Sequence, residues 1–230
     1  MNWSLLPTIS APMPFQLALD ELLFESRKAE GSASFLRFYV SSTRWVSAGY
    51  SFRGFETLSK SALILQNPKV PVCRRVTGGG CVLHGHDLIF SLTVQINTDP
   101  ERFGSVQTSY ANIHAGVKIG LQTCGLDPEF YGAKDVLPKG KDCFDFPVKS
   151  DLSWKGKKIA GGAQKRAEGV LLHQESIFVP TGVERRNLIC AVSQGLGEVF
   201  GVTIENADLD PEWYFQAERK GMSFEPIAGR

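Results

Sequence analysis

The chain has 230 residues, 43% of them hydrophobic and 21% charged, and its formal net charge is +1. That composition is ordinary for a globular protein of one large or two small domains with a substantial core. It gives no global electrostatic case for nucleic acid or a membrane surface as partner, and no stretch approaches the ~18 apolar residues of a membrane span.

The opening "MNWSLLPTISAPMPF" lacks the basic leader and long apolar run of a secretory signal. From Pro14, the apolar residues Phe15, Ala18, Leu19, Leu22 and Leu23 recur at helical spacing, with Gly31 as the expected stop. "FLRFYV" (35–40) and "WVSAGY" (45–50) read as strands. "DLIFSLTVQI" alternates, with Leu88, Phe90, Leu92, Val94 and Ile96 on one face and Ser91, Thr93 and Gln95 on the other, which predicts a half-buried strand. Val106, Tyr110, Ile113, Val117 and Leu121 mark an amphipathic helix ending near Gly125. "DLSWKGKKIAGGAQ" predicts a hairpin turning at Lys155–Gly156, and "VLLHQESIFV" (170–179) a further strand after a turn at Glu168–Gly169. Residues 184–200 predict a second long helix, and the segment 207–230 is too short for an independent domain. Hairpins interrupted by two long helices imply an α+β fold with mixed or antiparallel sheet, not a doubly wound one.

Three stretches are candidates for chemistry. In "RRVTGGG" (74–80) the glycines form either a loop whose bare backbone lets a ligand approach, or a tight turn between strands. No Lys-Ser/Thr follows them, so this is not a nucleotide P-loop, and Arg74 and Arg75 are by default solvated charges. In "KGKKIAGGAQKR" (155–166) regular alternation would place Lys157 with Ile159 and Lys158 with Ala160, so that one lysine faces inward unless a bulge intervenes. Such a lysine sits in a partly desolvated site, or else both are protective charges on an edge strand. In "DCFDFP" (142–147) Cys143 is either core packing or a nucleophile, and the flanking Asp142 and Asp145 mean that a nearby cation would have to activate it. The five cysteines are scattered, with no CxxC pair, which argues against a disulfide framework or a zinc site and for a reducing, cytoplasmic setting.

In this order, "ALDELL" (18–23), "LRFYVSSTRWVSAGY" (36–50), "RRVTGGGCVLHG" (74–85), "SDLSWKGKKIAGGAQKR" (150–166) and "LLHQESI" (171–177) resemble the biotin/lipoate protein ligase and acyltransferase family over roughly residues 14–200. The resemblance implies the biotin/lipoate ligase-like catalytic fold, as a single domain over 1–230 without a C-terminal accessory domain. It also implies a tunnel for an acyl chain, walled by the glycine loop and the lysine strand. Arg74, Thr77, Gly78, Gly79, Gly80 and His84 fall on the glycine-loop motif. Gly161, Gly162, Ala163 and Gln164 fall on the lysine-strand motif, and Lys158 on the lysine that contacts the acyl carbonyl.

"CFDFP" (143–147) matches the CF-x-x-P segment of the octanoyltransferase branch, which puts Cys143 on the nucleophile position. That branch implies transfer of an octanoyl or lipoyl group from acyl carrier protein, through a cysteine acyl-enzyme, to a lysine of a lipoyl domain. The acceptors would be the lipoyl domains of 2-oxoacid dehydrogenases or the glycine cleavage H protein. No cofactor is implied, with ATP and Mg only if the chain is instead a lipoate ligase; a third alternative is a non-catalytic acyl- or carrier-binding homologue. Lys155, Lys157, Lys165 and Arg166, with Arg74 and Arg75, are candidates for steering acidic partners. Glu175 stands where the family commonly has glycine, and Gly85 where it commonly has aspartate. A buried Glu175 would need a partner.

Overall fold

The computed structural model describes residues 2–28, 33–52, 61–131 and 150–222. In chain order the strands are β1 (Asn2–Ala11), β2 (Ser34–Ser41), β3 (Trp45–Ala48), β4 (Val72–Arg74), β5 (Val82–His84), β6 (Leu88–Gln95), β7 (Glu129–Phe130), β8 (Leu152–Trp154), β9 (Lys157–Ala167), β10 (Val170–Ile177) and β11 (Thr203–Asn206). The helices are α1 (Met13–Ser26), α2 (Ala62–Gln66), α3 (Pro100–Phe103), α4 (Val106–Thr123), α5 (Arg185–Phe200) and α6 (Pro211–Met222). An eight-stranded mixed sheet runs in the order β11-β1-β2-β6-β10-β9-β8-β7, and a three-stranded sheet in the order β4-β3-β5. This is the α+β architecture that the hairpins and helices implied.

The central position of β6 corrects the half-buried expectation, because the strand is buried along its whole length. Its apolar face, Leu88, Phe90, Leu92 and Val94, packs with Ile113, Val117 and Leu121 of α4 and with Leu188, Val192 and Leu196 of α5. Removing one such aromatic, as in Phe90→Ala, would cost about 3–5 kcal/mol. The two helices approach closely because Gly120 has no side chain: a Cβ there would lie 2.6 Å from the Val192 Cα.

The polar face of β6 is covered by α1, whose Gln16 and Asp20 are fully buried. Asp20 accepts hydrogen bonds from Arg37 Nη2 at 2.5 Å, Tyr39 at 2.8 Å, Ser91 at 2.6 Å and Gln174 at 2.6 Å. Ser91 can therefore lie inside without an unsatisfied group. α1 ends at Ser26, earlier than the glycine stop suggested, and Gly31 lies outside the described residues.

The two strands that form one side of the large sheet, β1 and β11, have no forecast in the alternation. β1 and β11 pair in parallel with each other, and β1 also pairs in parallel with β2. The segment after residue 207 forms α6, which lays Ala217 and Tyr214 against α1; the Phe15 and Tyr214 rings stand 4.9 Å apart. Among the described residues no helix is long and apolar enough to cross a membrane.

Candidate active site

The glycine run connects β4 to β5 and is fixed from beneath by an arginine. Arg75 is buried, and its Nη2 donates to the carbonyls of Gly78 at 2.7 Å and Gly80 at 2.8 Å, while Nη1 donates to the Ser47 carbonyl at 3.0 Å. That corrects two expectations: Arg75 is not a solvated charge and cannot steer a partner. Its neighbour Arg74, assigned to the motif from sequence, is only half-buried, and its buried Nε finds no hydrogen-bond acceptor among the described residues.

Gly79 has φ +84°, a left-handed conformation that favours glycine. A Cβ at Gly78 would meet nothing within 4 Å, because that position faces open space. Thr77 donates to Gln174 Oε1 at 2.7 Å, and His84 is held between Ser47 Oγ at 2.8 Å and Asp87 Oδ2 at 2.7 Å. Burial tends to raise the Asp87 carboxyl, but His84, Ser176 and the Gly85 amide outweigh it and hold it below its ordinary value.

The open space is a cavity of about 660 Å³ lined by Gly78 and Gly79, by Tyr110 of α4, by Ser150, and by Gly162, Gln164 and Arg166 of β9. That is the size range of a small-molecule site. A second void of about 30 Å³ shares the Gly162–Ala163 wall and lies between Gly161, His84 and the apolar side chains of Met13, Leu17, Tyr39 and Ile89. Glycine-loop and lysine-strand residues thus meet across one cavity; the Gly78 amide also donates to the Gln164 carbonyl at 3.4 Å.

Lys158 stands behind that wall. The pairing of β8 with β9 shifts between Leu152↔Ala160 and Ser153↔Lys158, a bulge at Ile159 that breaks the alternation. Lys157 is exposed while Ile159 is buried, so the two do not share a face as regular pleating would have it. The Lys158 side chain is 2% exposed, with Nζ 2.7 Å from Asp151 Oδ2. It folds over Gly161, where a Cβ would lie 2.3 Å from Nζ. Tyr110 donates to the other Asp151 oxygen and accepts from the Gly162 amide at 3.0 Å. Burial first, and then the charges of Glu175 and Asp151, push the Tyr110 hydroxyl well above its ordinary value, so it remains a donor.

Glu175 has the partners its burial requires, and neither was read from the sequence. His114 Nε2 lies 2.9 Å from Oε2, and His173 Nε2 lies 2.8 Å from the same oxygen. Burial works to raise the Glu175 carboxyl, but the two imidazoles outweigh it and bring it down to about 2. His114 is raised, since Glu175 overcomes the effect of burial. His173 is lowered, because for it burial prevails. Two imidazoles and a carboxylate are a donor set that zinc takes. Here, though, the donor atoms already close on one another at hydrogen-bond distances. The signal for His114 was available: it lies four residues after Tyr110, on the stripe that faces the sheet. Cys143 lies outside the described residues. Cys81, read as packing, is buried in the small core beside Val46 and Ala48.

Residues 12–198 match the family model described as the lipoyl protein ligase A/B catalytic domain. A protein of Exiguobacterium sp. named octanoyltransferase LipM is 34% identical over 183 residues, covering 76% of this chain and 65% of its own length. The LipM of Bacillus subtilis is 31% identical over 187 residues, covering 77% and 66%. The chain spans about two thirds of the length of these relatives. Among solved structures, a lipoate-protein ligase A bound with ATP superposes with a TM-score of 0.75 at 22% identity, covering 97% of this chain and 95% of the other. A protein of T. acidophilum with bound lipoic acid gives 0.75 at 23% identity, covering 95% and 94%. At such identities the likeness speaks for the fold. With four fifths of its length inside the matched region, the chain belongs to the lipoyl protein ligase A/B catalytic domain family and is an enzyme of the octanoyltransferase and lipoate ligase kind.

Proposed function

We propose that the protein transfers an octanoyl or lipoyl group from acyl carrier protein, through an acyl-enzyme on Cys143, to a lysine of a lipoyl domain. The observation that carries this reading is the buried Lys158–Asp151 pair, which sits against Gly161 and is bonded through Asp151 to Tyr110, directly behind the Tyr110, Ser150 and Gly162 wall of the cavity that Gly78 and Gly79 also line. The octanoyltransferase relatives supply the acyl group.

In the first step the Cys143 thiolate attacks the thioester carbonyl, the carbon–sulfur bond to the carrier breaks, and the carrier leaves as a thiolate that takes up from solvent the proton the Cys143 thiol had released. Thioester exchange between sulfurs costs little, which suits a cysteine nucleophile. In the second step the acceptor amine attacks, an amide forms, and the proton it gives up goes to the departing Cys143 sulfur. The Lys158 ammonium stabilises the oxyanion in both steps and favours the thiolate. Gly78 and Gly79 let the acyl chain lie against backbone. On this reading neither a nucleotide nor a metal takes part, and the reaction is cytoplasmic.

Intact mass of the protein after incubation with octanoyl-carrier protein tests the proposal. An octanoyl adduct cleaved by neutral hydroxylamine, absent in Cys143→Ala and hydroxylamine-resistant in Cys143→Ser, is expected. No adduct, together with lipoyl-AMP formation from ATP and lipoate, would replace it with the ligase reading.

A further inference from the structure

The segment that delivers Asp151 to Lys158 is held in an unfavourable conformation. Ser150, the residue before Asp151, has φ +79°, a left-handed step that a residue with a side chain rarely takes. Such a step persists only where the surroundings over-determine it. Its carbonyl accepts a hydrogen bond from His114 Nδ1, and Asp151 is gripped further by Tyr110 and Lys158 on its carboxylate and by the Tyr131 amide, at 2.7 Å, on its carbonyl.

His114 is fully buried between two acceptors. Nδ1 faces the Ser150 carbonyl and Nε2 faces the Glu175 carboxylate. A neutral imidazole carries one N–H and satisfies one of these; only the imidazolium donates to both. The titratable and charged groups around the ring are Tyr110 on its own helix, His173 and Glu175 on β10, and Asp151 and Lys158 at the β8–β9 hairpin. With Glu175 and Asp151 as carboxylates and Lys158 and His114 as cations, the enclosure is neutral. His173 bonds Glu175 through Nε2 and approaches Gln164 Nε2 at 3.4 Å through Nδ1, which fixes the carboxylate from the other side.

We propose that Glu175 and His114 form a positioning pair for Lys158: together they hold the Ser150 carbonyl, fix the left-handed step, and so set the Asp151 carboxylate against the lysine ammonium. The inference rests on the acyl-transfer reading for its effect on rate. When His114 loses its second proton, the remaining one goes to Glu175 and the Ser150 carbonyl is released, so the alkaline limb of the rate profile reports this ring. In Glu175→Gln the amide turns its NH2 toward Nε2, a neutral ring keeps its proton on Nδ1, and the grip survives without the charge.

The discriminating variants are made in the Glu175→Gln background, where no buried charge loses its partner. His114→Asn keeps an N–H where Nδ1 stood, toward Ser150; His114→Gln keeps one where Nε2 stood, toward residue 175. Positioning predicts that the Gln variant lowers kcat on the order of tenfold with KM nearly unchanged, as expected for a small misplacement of a reacting group. The Asn variant should stay close to its background, and Glu175→Gln alone should lose the His114-dependent alkaline fall. Equal losses in the two His114 variants, or losses confined to KM, overturn the proposal.

Competitive labelling of Lys158 by an amine reagent, read by peptide mass spectrometry, gives a second answer that needs no acyl transfer. Labelling should rise in the Gln variant and not in the Asn variant. If the wild-type chain transfers no acyl group, the functional reading fails while this labelling still decides the positioning. Stoichiometric zinc in the purified wild-type protein, lost on Glu175→Gln, would make the cluster a metal site and overturn the pair.

Discussion

Two carboxylates are buried on opposite faces of the same sheet, and they are satisfied in different ways. Gln174 reaches from β10 to Asp20, while the next residue, Glu175, points to the other face, as successive strand residues do. Asp20 is held by Arg37, whose guanidinium is not deprotonated in proteins. Glu175 is held by two imidazoles, which titrate near neutrality. The Arg37–Asp20 pair ties α1, β2, β6 and β10 together, and the Tyr39 and Gln174 side chains bonded to Asp20 reach the smaller void. The titratable cluster lies beside Gly162 and Ser150, where the candidate chemistry is. One face thus carries a carboxylate held by a guanidinium, and the other a carboxylate held by two titratable rings.

The largest effect should come from breaking the Arg37–Asp20 pair. Arg37→Met leaves Asp20 buried with neutral donors only, and should cost about 3–5 kcal/mol in urea unfolding. A loss below about 1 kcal/mol, the scale of a surface pair, would abolish the contrast.

Glu175→Gln should be next, and its cost should depend on pH. The Glu175 carboxyl falls from 4.5 to about 2, which corresponds to about 3 kcal/mol of stabilisation above pH 4.5, lost as pH drops toward 2. His114 is raised in the folded state, so its contribution is complete below 6.5 and is lost as pH climbs through the folded value. The stability difference between wild type and variant should therefore be largest between about pH 4.5 and 6.5 and shrink above it. Urea midpoints across pH 4–9 check this, and a flat difference refutes it.

Gly161→Ala acts on β9. A Cβ there would lie 2.0 Å from the Lys158 Cε, and the flexible lysine would swing away from Asp151. The expected cost is about 1–3 kcal/mol, with most of the acyl transfer lost. At Gly162 the same methyl would strike Glu175 Oε2 at 2.3 Å and the His173 ring at 2.5 Å instead. Gly162→Ala should therefore alter the pH dependence of stability, which Gly161→Ala should leave as it is.

What the sequence made legible follows from which interactions are local. The turns at Lys155–Gly156 and Glu168–Gly169 were readable because positive φ at all four residues is imposed by the hairpins themselves. The stripe from Tyr110 to Leu121 was readable because helical periodicity declares itself within one segment. β1 and β11 were not, since their parallel partners lie far along the chain and leave no hairpin signal. Gly78 and Gly79 lie across one cavity from Gly162 and Gln164, and the loop is supported by Arg75, which the alternation of the sequence did not single out from Arg74. His114 could be placed on the inward stripe, but its role and that of His173 went unread because nothing local sets a carboxylate opposite a histidine. Glu175 announced the need for a partner but not its identity.

The smallest expected effect is the one that separates packing from function at the triple glycine. Gly78 lacks positive φ and has open space where a Cβ would go. Gly78→Ala therefore meets no folded-state obstacle and restricts the unfolded chain, a gain of about 0.4–1 kcal/mol. If the glycine existed only to make a turn, activity would follow stability and stay unchanged or rise. If the bare backbone is there for a ligand, the methyl group occupies the cavity that Gly78 lines, and KM for the acyl donor rises while the protein becomes slightly more stable. Thermal unfolding and steady-state transfer on the same preparation distinguish the two, because only a ligand makes those quantities move in opposite directions.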